Sequence, residues 1–185
     1  NYLRDVLRDQ AASAQEEWHS ELLVVKPFAA YVLALAGTPE PSFNAALYAT
    51  HDKLPDFGKL LLALAITESH GERAMAEKLI DEVVTFVRVD GERATIIREH
   101  GHYWHTTMDS DVRSLALLAL ALQAVRPDDP LIAKVQKGLL EARRGGRWES
   151  TQENAFAVLA LAKTFLASER PDAKFTAKVQ SLIHI

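Results

Sequence analysis

The sequence predicts an all-α protein built as an array of antiparallel helix pairs, with one β-hairpin inserted near residues 84–98 and a strand near the C-terminus. Three observations carry that expectation. One tetrapeptide recurs, as Leu33-Ala34-Leu35-Ala36, Leu62-Ala63-Leu64-Ala65, Leu118-Ala119-Leu120-Ala121 and Leu159-Ala160-Leu161-Ala162, at intervals of 29, 56 and 41 residues. Such intervals suit helix-turn-helix units, the widest being a doubled unit or one that carries an insertion. Leu and Ala are strong helix formers, and the β-branched and aromatic residues that strands favour are sparse in these windows. Only around Asp90-Gly91 and in the last residues does the pattern turn to alternation.

Taken in chain order, the first two copies of the repeat belong to helices that stop at Gly37, Pro39, Pro41, Pro55 and Gly71. Val87, Val89, Thr95 and Ile97 then flank Asp90-Gly91, the dipeptide best suited to a type I′ turn, which predicts the hairpin. Asp109 or Ser110 can cap the helix that carries the apolar run Leu115 to Leu122. Asp128-Asp129-Pro130 offers a cap and a proline at the first helical position. The amphipathic helix that follows, Pro130 to Arg143, turns Lys134, Lys137 and Glu141 outward and closes at Gly145-Gly146. Ser150-Thr151-Gln152-Glu153 is a capping box that opens the last helix. There Ala155, Phe156, Val158, Leu159, Leu161, Ala162 and Phe165 leave almost no polar face, which predicts an inner helix covered on several sides. The amphipathic helix Pro130 to Arg143 is then its outer partner. Phe175, Ala177 and Val179 alternate with Lys174, Thr176 and Lys178, as in a half-buried strand. The expected division is therefore residues 1–170 as helical array and 171–185 as the start of a β-rich domain.

Composition narrows the function. A chain of 185 residues, 48% apolar and 25% charged with 8 Gly and 7 Pro, has the make-up of a globular domain and not of a disordered one. Its 21 Lys and Arg against 25 Asp and Glu give a formal charge of -4, so attraction to nucleic acid or anionic lipid has no basis. With no Cys, thiolate metal sites and cysteine nucleophiles are excluded from this stretch. No apolar run reaches the ~18 residues of a spanning helix. Because the chain opens on Asn1 and carries Arg4, Asp5 and Arg8 where a leader needs apolar residues, it reads as an excised fragment or mature product.

Several constellations compete with plainer readings. His100, His102 and His105 crowd one loop with Tyr103 and Trp104, but no acidic or thiol ligand stands at a familiar spacing, and an aromatic lid on the core is expected instead of a metal site. Asp109-Ser110-Asp111 precedes an apolar helix, where capping explains it better than paired-carboxylate catalysis. No G-x-S-x-G elbow and no glycine-rich phosphate loop occurs. Arg143 to Asn154 reads as a turn that buries the Trp148 ring against helix ends, with Gln152 in the next helix's first turn within reach of a neighbouring loop. No catalytic, cofactor-binding or metal-binding residue is assigned.

Tyr103-Trp104, Asp111 to Leu120, Leu139-Leu140-Glu141-Ala142-Arg143 and Gly146 to Ala155, in that order, resemble the closing helices of the thioester domain of alpha-macroglobulins, above all the large bacterial members. Upstream, Phe28 to Gly37 and Leu54 to Lys59 add to the likeness. The resemblance implies a partial α/α toroid in a broad-spectrum protease trap: cleavage of a bait region rearranges the molecule and frees an internal thioester to acylate the protease. It also implies proteases as targets of the full-length protein, β-sandwich domains as neighbours in the same chain, a periplasmic or cell-envelope setting, no cofactor, no direct membrane contact and no enzymatic turnover. The Cys-x-Glu-Gln motif that forms the thioester has no counterpart here, since Gln152-Glu153 stands in the wrong place and order; the resemblance then implies either a reactive motif before Asn1 or membership of the family branch that lacks one, and no reactive residue is carried onto this stretch. Two alternatives remain open. Toroids also serve terpene cyclases and glycan-cleaving enzymes, and Gly146-Arg147-Trp148 matches the Gly-x-Trp end of a triterpene-cyclase repeat, although the cyclase acid motif and the expected Gln are missing. A non-catalytic helical-repeat scaffold would use the same architecture to bind another protein.

Overall fold

The computed structural model describes residues 2–8, 16–97 and 110–168. Eight helices stand among them: α1 (Tyr2–Arg8), α2 (Glu16–Leu35), α3 (Pro41–Ala49), α4 (Asp56–Glu68), α5 (Arg73–Val84), α6 (Asp111–Val125), α7 (Leu131–Glu141) and α8 (Thr151–Ser168). A 3₁₀ turn, His51–Lys53, joins α3 to α4, and strands β1 (Val87–Asp90) and β2 (Arg93–Ile96) form an antiparallel hairpin after α5.

The four copies of the repeat lie on α2, α4, α6 and α8, and these helices form a row in which each packs on the next. α4 is buried from Leu60 to Ile66 and α6 from Arg113 to Leu122. Their alanines, Ala63, Ala65, Ala119 and Ala121, have no exposed surface, and so small a side chain lets neighbouring helices approach closely. The other helices cover this row from outside: α3 lies on α2 and α4, α5 on α4 and α6, α7 on α6 and β2. Each outer helix buries one stripe, Ala76, Leu79, Ile80 and Val83 on α5, Ile132, Val135 and Leu139 on α7, as amphipathic spacing requires. Lys163 of α8 reaches Glu68 of α4 at 3.9 Å, past the intervening α6, so the inner row is curved.

Two helix ends show why the chain reverses where it does. At the end of α2 the Gly37 N–H donates to Ala34 and the Thr38 N–H to Leu33, a Schellman closure with Gly37 at φ +72°. At the end of α4 the same pair of bonds, His70 to Thr67 and Gly71 to Ile66, forces His70 to φ +53°.

The structure corrects several expectations. Val84 ends α5, so the hairpin begins at Val87 and not at 84, and Ile97 lies beyond β2. Asp90 pairs with Arg93, which makes Gly91-Glu92 the turn; among the described residues His70 alone of the non-glycines has positive φ, so only Gly91, at +57°, does in this turn. That is the type II′ pattern, which needs glycine only at its first central position, where type I′ needs positive φ at both. Pro130 precedes α7 instead of opening it, the Leu131 N–H donating to the Asp129 carboxylate at 2.8 Å. The outer helix ends at Glu141, two residues short of Arg143, and Lys134 is half-buried against the hairpin rather than turned outward. Last, α8 is not covered on several sides: Val158, Leu159 and Leu166 are exposed. The expected C-terminal strand, the division at residue 170 and the His100–His105 loop lie outside the described residues.

Candidate functional site

Because the inner helices of the row start at the same end, their first turns gather a polar seam. Ser110 caps α6, its hydroxyl accepting from the Arg113 N–H at 3.3 Å. The same hydroxyl donates to the carboxylate of Glu153 in α8, tying the two caps together. Glu153 also closes its own capping box: its N–H donates to the Ser150 hydroxyl at 3.1 Å, and its carboxylate accepts from the backbone N–H groups of Ser150 at 3.0 Å and Glu149 at 2.8 Å. With three donors on its roughly four acceptor positions and 8% exposure, this carboxylate is engaged in organising helix ends.

Arg113 is the buried cation of the seam, 4% exposed. Its guanidinium stacks 4.0 Å from the Phe57 ring centroid in the first turn of α4 and donates to the side-chain carbonyl of Gln152 in the first turn of α8. Cation-π contact and a charge-assisted hydrogen bond thus join three inner helices through one residue. Asp56 is buried alongside at the start of α4, where the helix dipole favours a carboxylate.

Beside the seam, Trp148 is 5% exposed and donates its indole N–H to the Leu139 carbonyl at 2.9 Å, with Arg143 stacked over the ring at 5.4 Å. Gly145 and Gly146, at φ +58° and +83°, make the turn that brings it there. Asn154 fixes the exit, donating to the Trp148 and Ser150 carbonyls at 2.8 and 2.6 Å.

At the opposite end of the row Tyr31 is buried, and that burial, together with the charge of Glu68, raises its phenol above the usual range. A groove of about 450 Å³ between α1, α2 and α3 has an apolar floor of Leu7, Phe43 and Leu47. Among the described residues no three His, Cys, Asp or Glu side chains converge to hold a metal ion, and no helix is long and apolar enough to cross a membrane.

Of the residues singled out in the sequence, Ser110, Trp148, Ser150, Gln152 and Glu153 come together here, and Asp111 lies half-buried in the first turn of α6. Gln152 meets Arg113 of a neighbouring inner helix rather than a loop. Asp109, His100, His102, Tyr103, Trp104 and His105 lie outside the described residues. Arg113 and Phe57 stand in stretches that carry the family resemblance, but the sequence assigns neither a role; the signal for Arg113 is that it is the one cation of the helix Asp111–Val125.

The class this defines is an all-α fold of paired inner and outer helices, with a structural polar seam at one end of the inner row. Two solved structures share the fold: Salmonella alpha-2-macroglobulin reacted with methylamine, at TM-score 0.67 and 19% identity, and a point mutant of the same protein, at TM-score 0.64 and 20% identity. In each case the match covers 87% of this chain and 10% of the other, so the chain spans about a tenth of the length of the proteins it matches. No known family model matches the chain, and no curated protein does.

Proposed function

We propose that this chain is the later part of the α/α-toroid thioester domain of a bacterial macroglobulin-type protease trap, with residues 1–170 forming the helical wall and 171–185 opening a following β-rich domain. The fold shared with a tenth of Salmonella alpha-2-macroglobulin supports the architecture. The observation that carries the incompleteness of the toroid is how the repeat is covered. Its first leucine is buried where another inner helix follows, in Leu33, Leu62 and Leu118 at 2%, 0% and 0% exposure, yet Leu159 of α8 is 40% exposed. Its second leucine is buried in Leu64 and Leu120 and half-buried in Leu161, where an inner helix precedes, yet Leu35 of α2 is 54% exposed. The two ends of the row therefore present the two faces that meet at every internal contact, as expected of a ring with helices still to be added.

In this reading the chain supplies wall and interdomain surface, with β-sandwich domains of the same polypeptide as neighbours and proteases as targets of the whole protein, in the periplasm or cell envelope. Ser110, Arg113, Gln152 and Glu153 of the seam are engaged in caps, stacking and helix-to-helix hydrogen bonds, which supports a structural part for it. The test is covalent capture. The full-length protein treated with trypsin is expected to yield an adduct that survives denaturation on a gel, and residues 1–185 alone none. An adduct formed by 1–185 alone, or no adduct from a full-length protein that trypsin has cleaved, overturns the proposal.

A further inference from the structure

A second cluster of ionisable groups has no part in that role. His51 sits in the 3₁₀ turn between α3 and α4, its ring stacked on Tyr48 with centroids 4.8 Å apart and planes 12° from parallel. Its Nδ1 lies 2.6 Å from the Tyr48 carbonyl oxygen and its Nε2 3.0 Å from a carboxylate oxygen of Glu82 on α5. Both partners can only accept. A neutral imidazole carries one N–H, so it can serve one of them and must turn a lone pair on the other; only the imidazolium serves both. Water compensates only in part here, because the His51 side chain is 16% exposed and that of Glu82 29%.

The charges that face the ring are few. Lys59 of α4 binds the other Glu82 oxygen at 2.7 Å, Lys78 of α5 stands 5.9 Å over the Tyr48 ring, and Asp52 and Lys53 are exposed on the turn itself. Glu82 is thus clasped from two elements, by the Lys59 ammonium and by the His51 ring, which is a cation only when protonated. Although partial burial pushes its carboxyl up, the hydrogen bond and charge of Lys59, then the charge and hydrogen bond of His51, bring it below the usual range. The anion therefore remains in place throughout the range in which a histidine ring changes charge.

We propose that His51 is a proton-operated latch: as imidazolium it fastens the α3–α4 connection to α5, and on losing a proton it releases that connection. The structure reached from this latch is short and specific. Leu54 closes the 3₁₀ turn by donating to the His51 carbonyl at 3.0 Å, and two residues on, Asp56 and Phe57 open α4, where Phe57 carries the stacked Arg113. Acidification through the near-neutral range thus tightens the end of the inner row that holds the polar seam, and alkalinisation loosens it.

The test uses the 185-residue chain labelled with ¹⁵N. The ring nitrogens of His51, identified by comparison with His51→Gln and followed between about pH 5.5 and about pH 8.5, are expected to be both protonated where the turn is protected and to share one proton where it is not. Protection of the Lys53 and Leu54 amides, corrected for intrinsic exchange, is expected to fall about tenfold or more over that interval, the factor for losing one charge-assisted hydrogen bond. Glu82→Gln, which keeps the shape and removes the anion, is expected to abolish the dependence while the α4 core amides stay protected. A ring whose protonation does not change together with protection, protection independent of pH in the native chain, or an unchanged dependence in Glu82→Gln overturns the latch.

Discussion

Gly138 shows how one missing side chain positions an element. A Cβ built on it would stand 2.0 Å from the Ala94 carbonyl oxygen, a backbone atom of β2 that cannot swing aside. The hairpin lies on α7 because nothing projects there, and Lys134 and Arg93 then pin its turn and side, to the Gly91 carbonyl at 2.9 Å and to Glu141 at 3.5 Å. Gly138→Ala is expected to cost about 1–3 kcal/mol or more in urea unfolding, with hairpin amides losing protection first. His70 is the opposite case, a side chain held where glycine belongs, at φ +53° in the closure of α4. His70→Gly is expected to raise stability by about 0.5–1 kcal/mol in the same measurement, since relief of left-handed strain outweighs the added freedom of the unfolded chain. Gly37 in the equivalent place at the end of α2 is the internal comparison.

Between elements, the seam and the α4–α5 clasp respond to different perturbations. Glu153→Ala leaves the Ser110 hydroxyl and the Ser150 and Glu149 N–H groups short of an acceptor at once, so a loss of about 2 kcal/mol is expected, beyond the ~1 kcal/mol typical of a single cap. Glu153→Gln, which still accepts, is expected to lose less. The clasp is sensitive to acid. Because the folded carboxyl of Glu82 lies below its ordinary 4.5, its contribution is complete above that value and is lost as pH falls from there through the depressed folded value. Urea unfolding followed downward from neutral pH is expected to show this loss in the native chain and a flatter profile in Glu82→Gln. These two sites also show what a sequence carries. Ser150 and Glu153 are legible because the S-x-x-E spacing makes its bonds within one turn. Arg113 on Phe57 and His51 on Glu82 join residues 56 and 31 positions apart, and nothing local to either residue names the partner.

For the whole molecule, the decisive contrast is among chemically equal leucines. Leu62→Ala and Leu118→Ala are expected to cost about 2–5 kcal/mol, as large-to-small changes in a closed core do. Leu35→Ala and Leu159→Ala in the same 185-residue chain are expected to cost distinctly less, because those side chains are 54% and 40% exposed. Equal losses at all four positions would mean that the ends of the row are covered in solution and would remove the ground for reading the toroid as incomplete.

By itself the sequence determined the inner helices that carry the repeat, the outer character of the helix around residues 131–141, the capping box at Ser150, a cap for α6 at Asp109 or Ser110 and the presence of a hairpin, all set by neighbours within a few residues along the chain. It misjudged the cover on α8, because a helix without a polar face signals a need for partners and says nothing of whether they are present. The tertiary structure alone decided the curvature that brings Lys163 to Glu68, the approach of β2 to Gly138, the turn type at Gly91 and the pairing of His51 with Glu82. Periodicity sets the face of a helix; distances between helices arise only when every face has found its place in the packing.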